Sequence, residues 1–321
     1  VATSGTVGQT VISTAKVLEH ALRRCQVPTS NQTPETVLIA EECLYLLLMH
    51  YANTSFNLWC VDKVFIGYQD GRKDYPLPIG SNDVLNVLHC TPQLASGTSL
   101  VANVQTLDQS YRVVRGGVKF SALPLIDFTI STSADGVTYT NRKSVKVTDL
   151  SDSSLTYWYE FDPAVNCQYV QVSSGTVSSI LVATSTTDIP VSQLNRDMYS
   201  GLPNKDMPSA TVTNYLFGKT LDPFLTLWPV PDDETRHLML WVHRNIQDVG
   251  RLTQVLAIPQ RWFESTIIQL AFRLSLELPG VAADRITLLA GLAAKFQIEA
   301  SGEETDSAPI FLQPRIGSYT K

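Results

Sequence analysis

Between about residues 92 and 189 the chain changes character, and that change limits what it can fold into. Serine and threonine become abundant, apolar residues stop recurring at helical intervals, and short β-rich runs alternate with turns. Phe128-Thr129-Ile130 leads into Asp135-Gly136, a dipeptide suited to tight turns, and Ser144-Val145-Lys146-Val147 follows. Tyr157-Trp158-Tyr159-Glu160-Phe161 and Tyr169-Val170-Gln171-Val172 supply the aromatic and β-branched residues that fit a pleated, half-buried surface. Short strands in this succession predict a β-sandwich or jelly roll. The flanking segments share a different pattern, so residues 95–189 read as an inserted domain.

Helical spacing governs both ends of the chain. Val7, Val11, Leu18, Leu22 and Cys25 fall on one helix face, and Pro28, Ser30 and Asn31 break the pattern. Thr33-Pro34-Glu35 restarts it with an N-cap candidate, a proline fitted to the first turn and an early acid. Val37, Leu38, Leu44, Tyr45, Leu47, Leu48 and Tyr51 then place apolar groups on more than one side, which predicts a helix buried in a bundle. Ile258-Pro259-Gln260-Arg261-Trp262 opens a third helix that Pro279-Gly280 ends, and a fourth runs from about residue 282 to 300. Residues 61–66 with Asp70-Gly71 predict one hairpin, and residues 224–228 with 238–242 predict another around a proline- and acid-rich loop. The expected fold class is α+β. An α-helical bundle with a small β-hairpin region takes residues 1–94 and 190–300, an all-β jelly-roll sandwich is inserted at 95–189, and residues 301–321 form an extended C-terminal arm.

Composition narrows the function. Of 321 residues 17% are charged, below the roughly 25% of an average globular chain, which suggests surface covered by neighbours. The net charge is −6 and no basic run exceeds Arg23-Arg24, so a phosphate-tracking surface is not expected. DNA beside such a protein would pass without sequence-specific binding. The five cysteines are scattered and never form a CxxC pair, as expected of reduced thiols made in a cytoplasm. Residues 1–8 lack the order of a secretory signal, and the apolar stretch at 44–49 is far shorter than the ~20 residues of a membrane span, so no membrane role is expected.

No catalytic constellation emerges. The phosphate-binding GxxxxGK[ST], the GxSxG elbow and HExxH are all missing, and His20, His50, His89, His237 and His243 lack metal-ligand spacing. A cation site and a solvated turn both fit Asp232-Asp233-Glu234, and the turn is favoured after Pro231. Asp135 reads as a turn residue, with calcium binding as the alternative, since one acid is far from an oxygen cage. Trp228, Trp241 and Trp262 read as core or interface anchors rather than a stacking platform. No enzyme and no cofactor is expected.

Taken in order, several segments resemble the head-to-tail adaptor proteins of short-tailed bacteriophages. They are Gly71-Arg72-Lys73-Asp74-Tyr75-Pro76-Leu77-Pro78, Gln193-Leu194-Asn195-Arg196-Asp197-Met198-Tyr199 with Leu202-Pro203-Asn204-Lys205, and Leu227-Trp228-Pro229-Val230-Pro231-Asp232. Arg244-Asn245-Ile246-Gln247-Asp248 and Ile258-Pro259-Gln260-Arg261-Trp262 complete the set. The resemblance implies structural roles for Tyr75, Pro78, Asn204, Trp228, Pro229, Asp248, Pro259, Arg261 and Trp262. It also implies a ring homo-oligomer, usually dodecameric, in the virion, docked on the portal protein and presenting a face to the tail or nozzle proteins. Within the insert, Asp127–Ser131 through Asp135-Gly136-Val137-Thr138-Tyr139, with Trp158-Tyr159-Glu160-Phe161 and Gln168–Val172, resembles galactose-binding, discoidin-like jelly rolls. Gln171 stands where that family usually has an arginine, so no sugar site is carried over.

Two readings follow. In the first the chain is a virion assembly protein, its arm (Ile310, Phe311, Leu312, Ile316, Tyr319) clamping the portal or a neighbour. In the second it is a carbohydrate-binding protein acting through the jelly roll.

Overall fold

The computed structural model describes residues 12–27, 32–53, 60–78, 81–147, 155–220, 222–244, 252–253, 255–256 and 258–302. In chain order, α1 (Thr14–Arg24) and α2 (Pro34–Asn53) precede β1 (Val61–Gly67), β2 (Asp74–Pro76), β3 (Ser81–Leu94), β4 (Gly97–Val101) and β5 (Val104–Phe120). Next come β6 (Phe128–Ser133), β7 (Thr140–Val145), β8 (Thr156–Val172), β9 (Val177–Pro190), β10 (Ser192–Leu194) and the short α3 (Arg196–Ser200). β11 (Pro208–Ser209), β12 (Asn214–Gly218), β13 (Phe224–Trp228), β14 (Val230–Pro231) and β15 (His237–Arg244) lead to α4 (Phe263–Glu277) and α5 (Ala283–Gly302). The chain divides into two compact units, Val1–Cys60 with Ile246–Lys321, and Val61–Asn245.

The first unit is helical, and α4 is its centre. It packs against α1, α2 and α5, and its Leu270, Ala271 and Leu274 are fully buried. Val17, Leu18, Ala21 and Leu22 of α1 and Ala40, Leu44 and Leu47 of α2 join the same core. Trp262, at the head of α4, meets Tyr51 edge to face at 5.4 Å between centroids.

The second unit is built from strands. Its main sheet has nine strands in the order β1-β15-β3-β9-β5-β8-β6-β7, with β4 on β5. β5 and β8 are long, and their pairing slips between Thr106 and Tyr111 and again between Val113 and Arg115. These breaks let each strand serve two layers, as strands at sandwich corners do. The halves at 104–113 and 165–172 continue into β4, β6 and β7, and the halves at 115–120 and 156–160 continue toward β9, β3, β15 and β1. Val113, Val118, Phe128, Ile130, Val170 and Ile180, drawn from both layers, share one core. A second sheet, β10-β12-β13-β2, covers one face of the β1-β15-β3 region, where Leu238, Leu240 and Val87 meet Tyr75, Tyr215, Leu225 and Leu227.

These observations correct the expected α+β fold class. Strands hold 44% of the described residues and helices 29%, so the chain is mostly antiparallel β and not an α-helical bundle with small hairpins. Both predicted hairpins fail. Gly71 does turn the chain with φ +71°, but β1 pairs with β15 and β2 with β13. β13 and β15 likewise lie in different sheets. The seam between units falls at 60/61 and 245/246, whereas the sequence drew lines at 94/95 and 189/190. β3 ends at the first of those lines, yet it pairs with β15 along one edge and with β9 along the other, out to Leu94 opposite Ala183.

The other face of β15 meets a buried polar layer. Arg115 forks onto Asp188 at 3.0 and 2.9 Å, and its Nε lies 3.7 Å from Glu160. It also lies near His237 Nε2 at 3.5 Å and Met239 Sδ at 3.4 Å, and over the Phe65 ring at 5.5 Å. His237 stacks on Trp158 at 4.0 Å, and on the face of Leu238 and Leu240 Tyr68 Oη lies 2.7 Å from His89 Nδ1. Burial first, then the positive charge of Arg115, lowers His237 to about 3; burial and Arg236 lower His89 to about 4. Both imidazoles are therefore neutral in the fold, while the unfolded chain protonates them near 6.5. Their contribution is complete above about pH 6.5 and is lost as pH falls toward 3–4, at up to about 1.4 kcal/mol per pH unit for each histidine. The melting temperature should drop between pH 7 and pH 4, and His237→Gln should flatten that slope. A variant with the wild-type slope would sink this account.

Candidate functional site

The β6–β7 hairpin builds a fixed polar turn. Asp135 Oδ1 accepts hydrogen bonds from the Val137 and Thr138 amides, both at 2.9 Å, and from Ser133 Oγ at 2.8 Å. Ser133 Oγ in turn accepts from the Gly136 amide at 3.0 Å. The amides of Thr138 and Val137, then the Ser133 hydroxyl, pull the Asp135 carboxyl down to about 2, so it is charged at any ordinary pH. Gly136 sits at φ +75°, and an added Cβ would stand 3.1 Å from the Tyr169 ring.

Beside this turn lies an open cleft of about 270 Å³, lined by Thr132, Ser133, Asp135, Thr138, Thr140, Arg142 and Asn166. Thr138, Thr140 and Arg142 alternate along the chain into β7 and so share a face. Arg142 Nε donates to Thr132 Oγ1 at 2.9 Å, which fixes the guanidinium against the neighbouring strand. Asn166 comes from β8, opposite Arg112. Half-buried Tyr139 has its phenol raised by burial and by the neighbouring Tyr169 and Asp135. The cleft thus offers charged and neutral donors and acceptors at once. The hydroxyl–carboxylate pair among its lining residues, Ser133 on Asp135, belongs to the turn itself. Among the described residues no group of three or more His, Cys, Asp or Glu is placed to hold a metal ion, and Asp135 Oδ1 is already occupied by its own turn.

The residues singled out in the sequence fall in two places. In the second unit, Tyr75 is buried, its hydroxyl 3.0 Å from the Gln69 amide, and Pro78 accepts from the Ser81 amide at 3.2 Å. Asn204 and Trp228 do meet, the indole donating to the Asn204 carbonyl at 2.9 Å, and Pro229 is buried beside them. In the first unit, the Pro259 carbonyl accepts from the Trp262 amide at 2.9 Å, Arg261 is exposed, and Trp262 is buried in the core. Nothing gathers these residues into one site. Asp248, Ile310, Phe311, Leu312, Ile316 and Tyr319 lie outside the described residues. Arg142 and Asn166 were missed by sequence reading, because neither belongs to a spaced motif; the alternation of Thr138, Thr140 and Arg142 after the Asp-Gly turn was the available signal.

No family model matches the sequence, and no curated protein does, so neither resemblance noted above gains support there. Among solved structures, CpGH89CBM32-6 produced by Clostridium perfringens is 11% identical over 32% of this chain and 93% of its own, with a TM-score of 0.19. CpGH89CBM32-5 from the same organism, in complex with GalNAc-β-1,3-galactose, is 14% identical over 36% of this chain and 99% of its own, with a TM-score of 0.20. The CBM32 of AlyQ, in complex with 4,5-unsaturated mannuronic acid, is 14% identical over 34% and 97%, with a TM-score of 0.19. Likeness at these TM-scores carries no argument about fold or ligand.

The turn itself can be tested. Gly136→Ala must hold a side chain at positive φ, a conformation that costs about 1–2 kcal/mol, and must push Tyr169 aside. Denaturant unfolding of the full chain should show a lower midpoint, and an unchanged midpoint would mean the turn is not held as described.

Proposed function

We propose that the chain is a non-catalytic carbohydrate-binding protein whose ligand sits in the cleft beside the Asp135-Gly136 turn. The observation that carries this reading is the lining of that cleft, where the Arg142 guanidinium, the Asp135 carboxylate, Asn166 and several hydroxyls converge. A polyol presents donors and acceptors in every direction, and this lining answers both kinds. Tyr139 and Tyr169 supply apolar ring surface at the same end of the sandwich, as sugar C–H faces require. A shallow polar cleft exchanges water hydrogen bonds for ligand hydrogen bonds at small net gain, so a single site is expected to bind weakly. Glycan-array screening followed by calorimetry on the best hit is the test. Arg142→Ala and Asn166→Ala should each weaken binding by about tenfold, the loss typical of one charged or well-placed hydrogen bond, and leave the melting temperature in place. Failure of every glycan to bind, or binding indifferent to both substitutions, would rule the cleft out.

A second reading, the head-to-tail adaptor ring of a short-tailed bacteriophage, is favoured by a different observation. α2 exposes Leu38, Tyr45, Leu46 and Met49 to between 47% and 60%, a run of large apolar groups that a protein acting through interfaces would cover. In this reading the partners are further copies, the portal and the tail proteins, and residues 301–321 serve as the portal clamp. Truncation after Gly302 is then expected to leave a folded chain that no longer attaches to portal-bearing heads. Unchanged attachment would remove the arm from the account.

A further inference from the structure

We infer that the cleft beside the Asp135-Gly136 turn takes an acidic saccharide of more than one unit, Arg142 and Arg112 each holding a carboxylate or sulfate of the ligand. The inference deepens the carbohydrate reading of that cleft and rests on it.

Arg142 is the cation inside the cleft. Its Nε is committed to Thr132 Oγ1 at 2.9 Å. The two Nη groups, which form the fork that matches an oxyanion, make no hydrogen bond among the described residues. Asp135 does not answer this charge. Its Oδ1 takes the Val137 and Thr138 amides and the Ser133 hydroxyl, and no ion pair joins it to Arg142 among the described residues. The other carboxylate oxygen is left to accept a ligand hydroxyl.

Arg112 stands just beyond the lining. It lies directly opposite Asn166 in the pairing of β5 with β8. The two side chains therefore leave the same face of the sheet, with Cβ atoms about 5 Å apart. Asn166 lines the cleft, and both residues are exposed. Arg112 likewise has no carboxylate partner among the described residues.

Spacing sets the length of the ligand. The Arg142 guanidinium is pinned at Thr132 of β6, and from β6 the sheet crosses β8 to reach β5. Two strand spacings amount to about 10 Å, wider than one sugar ring. A ligand that meets both arginines thus has at least two units and more than one anionic group. A neutral sugar would give each fork only a hydroxyl, a weaker bond than the paired oxygens of a carboxylate or sulfate. Cations on an edge strand also keep other chains from pairing there, and β7 ends the sheet. That role needs no bond to Thr132, and it does not extend to Arg112, whose strand lies inside the sheet.

Calorimetry on the full chain tests this with short uronic-acid oligosaccharides, their carboxyl-reduced counterparts and a sulfated series on the reduced backbone. One of the acidic series should bind at least about tenfold more tightly than the reduced one, the scale of a charged hydrogen bond. Added salt should weaken the acidic ligand and leave the neutral one unchanged. Tighter binding in either acidic series supports the inference and identifies the oxyanion. Arg112→Gln should lower the affinity for the acidic oligosaccharide about tenfold and spare the matching monosaccharide, while Arg142→Gln weakens both. Arg112→Lys should recover part of the loss, because it keeps the charge without the fork. The comparison of acidic with reduced oligosaccharides needs no variant, so it decides even if a substitution unfolds the chain. Equal affinity for acidic and reduced ligands, or an acidic oligosaccharide indifferent to Arg112→Gln, would overturn the inference and leave the carbohydrate reading standing. Binding of no glycan, neutral or acidic, would end both.

Discussion

Arg115 is the residue on which the strand unit turns. Its guanidinium is buried in β5, forks onto Asp188 of β9, faces Glu160 of β8 and touches His237 and Met239 of β15. A buried cation is tolerated only where its donors are matched in good geometry, and removing one partner of such a pair typically costs about 3–5 kcal/mol. The arrangement therefore holds four strands to one register, because a one-residue slip would turn Arg115 or Asp188 to the opposite face. Lys63 extends the network to β1 through its ion pair with Glu160. Strands on both sides of the supposed insert are thus tied to it by charge as well as by backbone pairing.

That coupling explains which parts of the fold the sequence revealed. Helices α1, α2, α4 and α5 announced themselves by local periodicity, and Asp135-Gly136 by local turn chemistry, because both signals depend on neighbours in the chain. Strand partners depend on distant residues. Nothing within residues 61–67 says that Val61 faces His243, and an Asp-Gly pair marks a turn without naming the strands it joins. β3 ends where the composition changes, yet its last residues, from Leu88 to Leu94, pair with β9 beyond that change. The serine- and threonine-rich composition was a sound indicator of strand.

The candidate cleft shows the same division. Asp135 was legible as a turn residue, and the Val137 and Thr138 amides and the Ser133 hydroxyl on its Oδ1 are that turn. Arg142 and Asn166 lie 24 residues apart in the chain, and only the pairing of β6 with both β7 and β8 brings their strands to one wall. On α2 apolar residues on more than one side predicted a helix buried in a bundle, and Leu44 and Leu47 are buried while Leu38 and Tyr45 are exposed. It could not say that Tyr45 and Met49 would remain uncovered, because the sequence fixes how many faces are apolar but not how many neighbours one chain supplies.

The two surfaces complement each other chemically. The cleft is polar and open, so each hydrogen bond made there replaces one to water and a single site holds its ligand loosely. The exposed α2 face is apolar, and covering it would be driven by removal of surface from water, which needs no ligand. Linking weak sites raises effective concentration once one of them is engaged, provided the geometry lets a second reach the same polymer. A repeating saccharide meets that condition more readily than a small molecule, since it offers the same epitope at successive positions.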